Sequence, residues 1–206
     1  MANWYERRIL PHIIRIGCGC AEFDALREPL IGRASGEVLE LGIGAGANLR
    51  WYDPRNVAKI TAVEPSPELR AMAAKAERPD GLAVEVRDGM AEALPFAEAQ
   101  FDTVVCTYTL CTVGDPDQTL REARRVLRPG GRLLFCEHGL APDPGIARWQ
   151  KRLDRVWPKV FGGCHTARPV RETIARHFDV RDWEGGFQPK IVRLMGWMEH
   201  GSAVAA

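Results

Sequence analysis

The chain has 206 residues, of which 46% are hydrophobic, and its 28 basic side chains nearly balance its 27 acidic ones. This length suits one domain with a substantial core, and the balanced charge argues against nucleic acid as a partner. No apolar run approaches the ~20 residues of a membrane span, no signal-peptide pattern follows the N-terminus, and the cysteines suit a reduced interior, so we expect a cytoplasmic protein without an integral membrane segment.

The first 34 residues are predicted to be helical. Apolar residues recur three and four positions apart from Ile9 to Ile16 and again from Phe23 to Leu30. Gly17-Cys18-Gly19-Cys20 interrupts this pattern. We interpret the interruption as a close-packed bend; a metal or thiol site is the alternative, but no second cysteine pair follows at zinc spacing.

From residue 36 onward, strand-like and helix-like segments alternate. The predicted strands cover 37–41, 59–64, 82–87, 101–107 and 132–138, with weaker candidates near 179–184 and 190–199. Helices are predicted from Pro67 to about Arg78, after Asp115-Pro116, around 146–156 and from Pro169. Such alternation predicts right-handed crossovers and a doubly wound α/β fold, in which ligands lie beyond the C-terminal ends of the strands.

The segment 38–48 is an apolar run that ends in three alternate glycines. It predicts a strand, a tight turn and a helix N-terminus, where residues without Cβ admit a ligand and unpaired N–H groups face an anion. Gly42, Gly44 and Ala47 also fit the dinucleotide fingerprint, so the turn by itself leaves the nucleoside open.

Acidic residues follow the next two predicted strands. Glu64 lies 22 residues after Gly42, where a carboxylate accepts both ribose hydroxyls of a nucleoside. Asp88 opens a turn in which its carboxylate and the following N–H can meet an adenine ring. We therefore expect a nucleoside at this edge of the sheet.

Several motifs occur in order between residues 36 and about 138. They are Glu40-Leu41-Gly42-Ile43-Gly44-Ala45-Gly46, Glu64, Arg87-Asp88-Gly89-x-x-Glu92-x-Leu94-Pro95-Phe96, Phe101-Asp102, and Leu120-Arg121-Glu122-x-x-Arg125-Val126-Leu127-Arg128-Pro129-Gly130-Gly131. Together they resemble the class I methyltransferases that use S-adenosylmethionine. The resemblance implies a Rossmann-like, doubly wound, seven-stranded and mostly parallel sheet, here with an N-terminal helical extension.

The resemblance also implies S-adenosylmethionine as cofactor, with S-adenosylhomocysteine as the product. Its glycines would lie beside the methionine moiety, Glu64 on the ribose, and Asp88 with Met90 near the adenine. The candidate donor site comprises Glu40, Gly42, Gly44, Gly46, Asn48, Glu64, Pro65, Asp88, Gly89, Met90 and Thr107.

A narrower similarity covers nearly the whole chain. Its motifs are Tyr5-Glu6-Arg7-x-Ile9-Leu10-Pro11-His12, Cys106-Thr107-x-x-Leu110-Cys111-Thr112-Val113, Glu137-His138, Trp149-Gln150, and Gly162-Gly163-Cys164-His165-x-x-Arg168. They are similar to the methyltransferase-like group that includes mammalian thiol S-methyltransferases, whose bacterial relatives are often labelled phospholipid or quinone methyltransferases. The segment Leu194–His200 matches this group poorly, so the acceptor is the part least implied.

Methyl transfer from a sulfonium is an in-line displacement, so the protein must align the nucleophile and exclude water. A thiol, with a pKa of about 8.5, needs little help from a base. The candidate acceptor-site residues are His138 after the fifth strand, His165 in a glycine-rich loop, and Tyr108 after the fourth strand. We expect no metal site and interpret Cys111 and Cys164 as small buried hydrophobes, with redox or soft-ligand roles as the alternative.

The sequence thus predicts a methyltransferase for a small molecule, with a thiol or other soft nucleophile as the acceptor. Within one domain, residues 1–34 would form a helical lid or cap, 36–138 the donor-binding core, and 139–206 the acceptor-side helices and last strands. Methylation of a lipid amine or a quinone ring is the alternative. A non-catalytic nucleoside-binding module and an NAD(P)-dependent oxidoreductase are alternatives from other classes, and the oligomeric state stays open.

Overall fold

The computed structural model describes residues 4–205. Its helices are α1 (Trp4–Arg8), α2 (Leu10–Cys18), α3 (Ala21–Ile31), α4 (Pro67–Ala73), α5 (Pro116–Val126), α6 (Pro144–Leu153), α7 (Trp157–Val160) and α8 (Val170–Ala175). Its strands are β1 (Gly36–Leu41), β2 (Val57–Val63), β3 (Val84–Arg87), β4 (Phe101–Thr107), β5 (Leu127–His138), β6 (Asp179–Phe187) and β7 (Trp197–Val204). A 3₁₀ turn covers Leu49–Trp51.

The strands form one seven-stranded sheet in the order β3-β2-β1-β4-β5-β7-β6. Strands β1 to β5 pair in parallel, and β7 runs antiparallel between β5 and β6. The strand order reverses at β1, between β2 and β4, and ligands bind at such switch points in doubly wound sheets. The predicted seven-stranded, mostly parallel sheet is confirmed.

Alternate residues of the central strands pack against helices on opposite faces of the sheet. Leu39 and Leu41 of β1 belong to the apolar cluster that includes Leu120 of α5. Val38, which alternates with these leucines along β1, belongs to the other apolar cluster, which includes Ile31 of α3. Because both faces are covered, the central strands are almost entirely apolar and buried.

The predicted helix starts after β2 and β4 are confirmed. The side chain of Ser66 accepts a hydrogen bond of 3.2 Å from the N–H of Leu69, and Asp115 accepts one of 2.9 Å from Gln118. Each cap satisfies one of the N–H groups that a helix leaves unpaired. Helix α4 ends at Ala73, earlier than predicted.

Two predictions about local structure are wrong. No α-helix follows the glycine turn, because Asn48 and Tyr52 point their side chains inward onto Glu40 and hold the segment in turns. The last strand begins at Trp197 rather than near 190. The N–H of Gln188 donates to the Gly196 carbonyl at 2.8 Å, which closes 189–195 into a loop instead.

The helical character of the N-terminal segment and its break are confirmed, since α2 ends at Cys18 and α3 begins at Ala21. The hydroxyl of Tyr5 donates a hydrogen bond of 2.5 Å to the carbonyl of Val160, which joins α1 to α7. Across residues 4–205, the helices are all too short or too polar to traverse a lipid bilayer.

Candidate active site

A cavity of about 680 Å³ opens at the C-terminal edge of the parallel strands. Helix α2 and the start of α3 form one wall, and the loops after β1, β2, β4 and β5 form the floor. The remaining wall comes from residues 89–92 after β3, from parts of 157–166 such as Trp157 and Cys164, and from parts of 190–195 such as Ile191. This volume lies in the range of small-molecule sites, and its position matches the ligand crevice of doubly wound sheets.

Glu64 connects two of the loops on the cavity floor. Its Oε2 accepts a hydrogen bond of 3.0 Å from the N–H of Gly44, and its Oε1 accepts one of 3.0 Å from Ser66. Burial raises the pKa of Glu64 despite these bonds. A carboxylate has about four acceptor sites, so this one keeps capacity for hydroxyl groups of a ligand in the cavity.

The three glycines of the turn after β1 have different surroundings, although all three have positive φ. A Cβ on Gly44 would meet no atom closer than the Gly42 carbonyl oxygen at 4.0 Å, so space is open there. A Cβ on Gly42 would lie 2.6 Å from Thr109 Oγ1, and one on Gly46 would lie 2.7 Å from the Cβ of Ala76. Gly42 and Gly44 line the cavity, whereas Gly46 packs against the helix region after β2.

Glu40, Asn48 and Thr107 lie behind the cavity wall rather than on it. Asn48 Nδ2 donates to Glu40 Oε1 at 2.8 Å and to Thr107 Oγ1 at 2.9 Å, and Tyr52 donates to Glu40 Oε2 at 2.8 Å. Burial raises the pKa of Glu40 to about 7, against these hydrogen bonds. The network holds the glycine turn in place from the buried side. These three residues therefore support the cavity wall without lining the cavity.

Arg27 completes this network from helix α3. It is buried, its Nε donates to Asn48 Oδ1 at 3.0 Å, and its guanidinium lies 4.8 Å from the ring centre of Tyr108. It also donates to the carbonyl of Cys18. Arg27 therefore ties the N-terminal helices to the sheet edge; its role did not follow from the sequence, where it reads as one polar residue of an amphipathic helix.

The residues expected near a donor base are only partly on the cavity wall. Pro65, Gly89 and Met90 line it. Asp88 does not: its side chain is 74% exposed, and Arg70 Nη1 contacts it at 2.9 Å. The exposed ion pair holds the Asp88 carboxylate on the outside of the turn.

Tyr108 lines the cavity directly after β4. Its backbone has φ of +53°, a left-handed conformation that is strained for a bulky residue. Its ring centre is 5.0 Å from that of Phe23 and 5.5 Å from that of His138. The strained turn thus brings an aromatic ring between α3 and the end of β5.

His138 lies on the cavity wall at the end of β5, beside two cysteines. Its Nδ1 is 3.7 Å from Sγ of Cys164, and the sulfur atoms of Cys164 and Cys111 lie within 4.8 Å of each other. The neighbouring Cys111 thiol and the His138 imidazole lower the pKa of Cys164, whereas the neighbouring Cys164 thiol and burial raise the pKa of Cys111. Cys111 is buried in the apolar cluster that also contains Tyr108, and Cys164 packs against that cluster, as expected of small hydrophobic side chains, while both also line the cavity.

Glu137 organises the loop that carries Cys111. Its buried carboxylate accepts hydrogen bonds from the N–H groups of Thr109 at 2.8 Å, Leu110 at 2.9 Å and Cys111 at 3.2 Å. Burial raises the pKa of Glu137 to about 7, against these bonds. The sequence marked Glu137 only as the neighbour of His138; an acidic residue inside an apolar strand was the available signal.

His165 is not on the cavity wall. Its Nδ1 lies 2.7 Å from Oδ2 of Asp154, and the N–H of Thr166 donates to the other oxygen of that carboxylate at 2.7 Å. Its own backbone N–H donates to the carbonyl of Cys111 at 2.7 Å. The structure thus places His165 as an anchor of the loop, with its neighbour Cys164 facing the cavity.

Comparisons with known proteins agree with this architecture. Residues 39–135 match the family described as "Methyltransferase domain". The chain is 35% identical over 146 residues to thiol S-methyltransferase TMT1B of Rattus norvegicus, covering 68% of this chain and 58% of that protein. It is 34% identical over 128 residues to the phosphatidylethanolamine N-methyltransferase of Cereibacter sphaeroides, covering 61% of this chain and 62% of that protein.

The fold is similar to the crystal structure of an S-adenosylmethionine-dependent methyltransferase from Mesorhizobium loti. The two share 21% sequence identity with a TM-score of 0.68, over 91% of this chain and 99% of that one. The chain spans less than two thirds of the length of the curated relatives named above. By its sheet order, its glycine turn and these similarities, the chain belongs to the class I S-adenosylmethionine-dependent methyltransferase family.

Proposed function

We propose that the chain transfers a methyl group from S-adenosylmethionine to a small thiol or another soft nucleophile. The observation that carries this proposal is that one cavity is lined both by Gly44 and Glu64 and by His138 at the end of β5. When bound, S-adenosylmethionine supplies an electrophilic methyl group on a sulfonium. The work of the protein is then to position two ligands and exclude water.

The floor of the cavity suits the donor. Open space at Gly44 admits a ligand close to the backbone, and the buried Glu64 carboxylate has acceptor sites for ribose hydroxyls. Gly89 and Met90 line the neighbouring wall, where the adenine would lie. We keep Glu40, Asn48 and Thr107 in the donor site as residues that hold the turn, because their contacts are with one another.

The acceptor would lie beside His138 and Tyr108. The wall there is soft and apolar, with Phe23 and two thiols close to the imidazole. A thiol nucleophile fits this wall because it requires desolvation and alignment more than strong base catalysis. The thiol S-methyltransferase among the relatives supports the same choice, while the phosphatidylethanolamine N-methyltransferase keeps a lipid amine as the second candidate.

Helices α1 to α3 would act as the cap over this site. Ile13 and Ile14 of α2 line the cavity, and so does Phe23 of α3. We also propose that the protein works in the cytoplasm, where its six free thiols stay reduced.

Titration calorimetry with S-adenosylhomocysteine and with NADH tests the nucleoside. We expect binding of S-adenosylhomocysteine only. Binding of NADH alone would overturn the proposal and indicate an oxidoreductase. A panel of thiols, amines, phenols and quinols, read as release of S-adenosylhomocysteine, tests the acceptor. Turnover with thiols supports the proposal, turnover with amines or quinols alone selects the other acceptors, and binding without turnover indicates a non-catalytic module.

A further inference from the structure

Three potential metal ligands meet on the wall of the cavity. The Sγ atoms of Cys111 and Cys164 and a ring nitrogen of His138 lie within 4.8 Å of one another. Cys164 Sγ lies 3.7 Å from His138 Nδ1. All three residues line the cavity, so the space between them is reached from the substrate side.

The three residues come from separate segments that are fixed to one another. The backbone N–H of His165 donates to the carbonyl of Cys111 at 2.7 Å, which sets the Cys164 loop against the Cys111 loop. Gly163 makes this approach possible: its φ is +85°, and a Cβ there would lie 3.0 Å from the Thr112 carbonyl oxygen. Glu137, next to His138 in β5, accepts a hydrogen bond of 3.2 Å from the N–H of Cys111.

We propose that Cys111, His138 and Cys164 bind a soft divalent cation of the Zn²⁺ type, with a fourth position open to the cavity. Tetrahedral bonds of ~2.3 Å to sulfur and ~2.1 Å to nitrogen place the ligand atoms ~3.6–3.8 Å apart. The Cys164–His138 separation of 3.7 Å already has this value. Three protein ligands and one open position are typical of catalytic rather than structural zinc sites.

The chemistry of the donor set selects the cation. Thiolates with an imidazole favour Zn²⁺ over Mg²⁺ and Ca²⁺, which prefer oxygen. Binding converts two thiols to thiolates and releases two protons to solvent, so the two negative charges balance the dication. Cys18 and Trp157 line the same cavity as Cys164.

The metal site would add a way of binding the acceptor to the proposed function. Its role in the reaction therefore rests on the proposed function. An acceptor thiol that takes the open position would bind as a thiolate and give its proton to solvent. The ion would then hold a nucleophilic sulfur on the same wall as His138 and Tyr108. The cation would fix the acceptor, whereas the donor is held by Gly44 and Glu64 on the floor.

The test is metal binding by the full chain after treatment with chelator and reductant. With Co²⁺ as probe, we expect one ion per chain and a thiolate-to-cobalt charge-transfer absorption, displaced by Zn²⁺. Cys164→Ser and Cys111→Ser should each weaken Zn²⁺ binding by about a hundredfold or more and remove most of this absorption. His138→Ala should weaken binding but keep the thiolate absorption.

Cys20→Ser is the matched control, because Cys20 lines the same cavity but is not one of the three ligands. It should bind Zn²⁺ as the unchanged chain does. Titration with S-adenosylhomocysteine and circular dichroism verify that each variant folds. If Cys111→Ser does not fold, the cobalt spectra of the unchanged chain and of Cys164→Ser still show whether the thiolates bind the metal.

Absence of a thiolate absorption in the unchanged chain, or equal Zn²⁺ affinity in Cys164→Ser and Cys20→Ser, would overturn the site. Thiol methylation that persists with no bound metal would overturn its role and leave the proposed function intact. Metal binding with the expected ligands, but without thiol turnover, would overturn the proposed function and leave the metal site standing.

Discussion

The backbone N–H of Gly44 donates a hydrogen bond of 3.0 Å to Oε2 of Glu64. This bond joins the turn after β1 to the end of β2 at the point where the sheet order reverses. It holds a buried carboxylate beside the open space at Gly44. A floor of this kind offers a nucleoside both a close backbone approach and an acceptor for its hydroxyls.

Replacement of Glu64 by alanine is expected to weaken donor binding at least tenfold. A hydrogen bond to a charged group contributes about 1.5–3 kcal/mol, which corresponds to at least a tenfold change in affinity. Calorimetric titration with S-adenosylhomocysteine measures the effect, and Glu77→Ala, at an exposed glutamate that does not line the cavity, is the control. An unchanged affinity would show that Glu64 does not contact the donor.

Gly44 and Gly46 provide a matched pair of substitutions. Both have positive φ, so alanine at either position adds backbone strain of about 1 kcal/mol or more. Gly44→Ala should weaken binding of S-adenosylhomocysteine more than it lowers stability, because its Cβ enters the cavity. Gly46→Ala should mainly lower the free energy of unfolding, because its Cβ meets Ala76 at 2.7 Å. Urea unfolding and calorimetric titration of both variants separate the two effects. If Gly46→Ala weakened binding and Gly44→Ala did not, the donor would not lie beside Gly44.

His138→Ala is expected to lower turnover more than donor affinity. The imidazole lies on the acceptor wall beside Cys164, 3.7 Å from its sulfur. His177→Ala is the control, because that imidazole contacts Asp117 away from the cavity. Steady-state rates and titration with S-adenosylhomocysteine give the comparison. A loss of donor affinity with unchanged turnover would make His138 a donor-binding residue instead.

Glu137→Gln is expected to lower the free energy of unfolding by about 2 kcal/mol. An amide oxygen cannot accept from all the N–H groups of residues 109–111, and a buried N–H left unpaired costs about 1–3 kcal/mol. The exposed Glu77→Gln is the control for the same chemical change. Urea unfolding at neutral pH measures both variants. If Glu137→Gln were as stable as the unchanged chain, water would be accepting hydrogen bonds from the N–H groups of residues 109–111 instead.

Stability is expected to fall as pH rises from about 5 to about 8. Burial raises the pKa of Glu40 and of Glu137 from 4.5 to about 7 in the folded chain. A carboxyl with a raised folded pKa stabilises the fold fully below its unfolded pKa, and this contribution disappears as pH rises through the folded value. Thermal unfolding across this range measures the slope, and Glu40→Gln should flatten it. A flat profile would mean that both groups are ionised in the folded protein throughout this range, and a slope of the opposite sign would mean that other groups dominate the pH dependence.

Local pattern determined most of the fold. The buried run of β4, the caps at Ser66 and Asp115, and the break between α2 and α3 depend on neighbours within one or two turns, so the sequence alone predicted them. The glycine turn, Glu64 and His138 were predicted as site residues for a related reason. Parallel strands bring their C-terminal ends to one edge, and this rule requires no coordinates.

What the sequence did not determine are the contacts between distant segments. Asp88 and His165 looked like site residues, but Arg70 and Asp154 hold their side chains elsewhere. Cys111 and Cys164 looked like isolated core residues, because 53 positions of sequence separate them. Only the folded chain shows that a hydrogen bond from His165 to Cys111 brings the two thiols and His138 to one wall. Side-chain partners are selected in three dimensions by packing and charge, and periodicity carries no information about them.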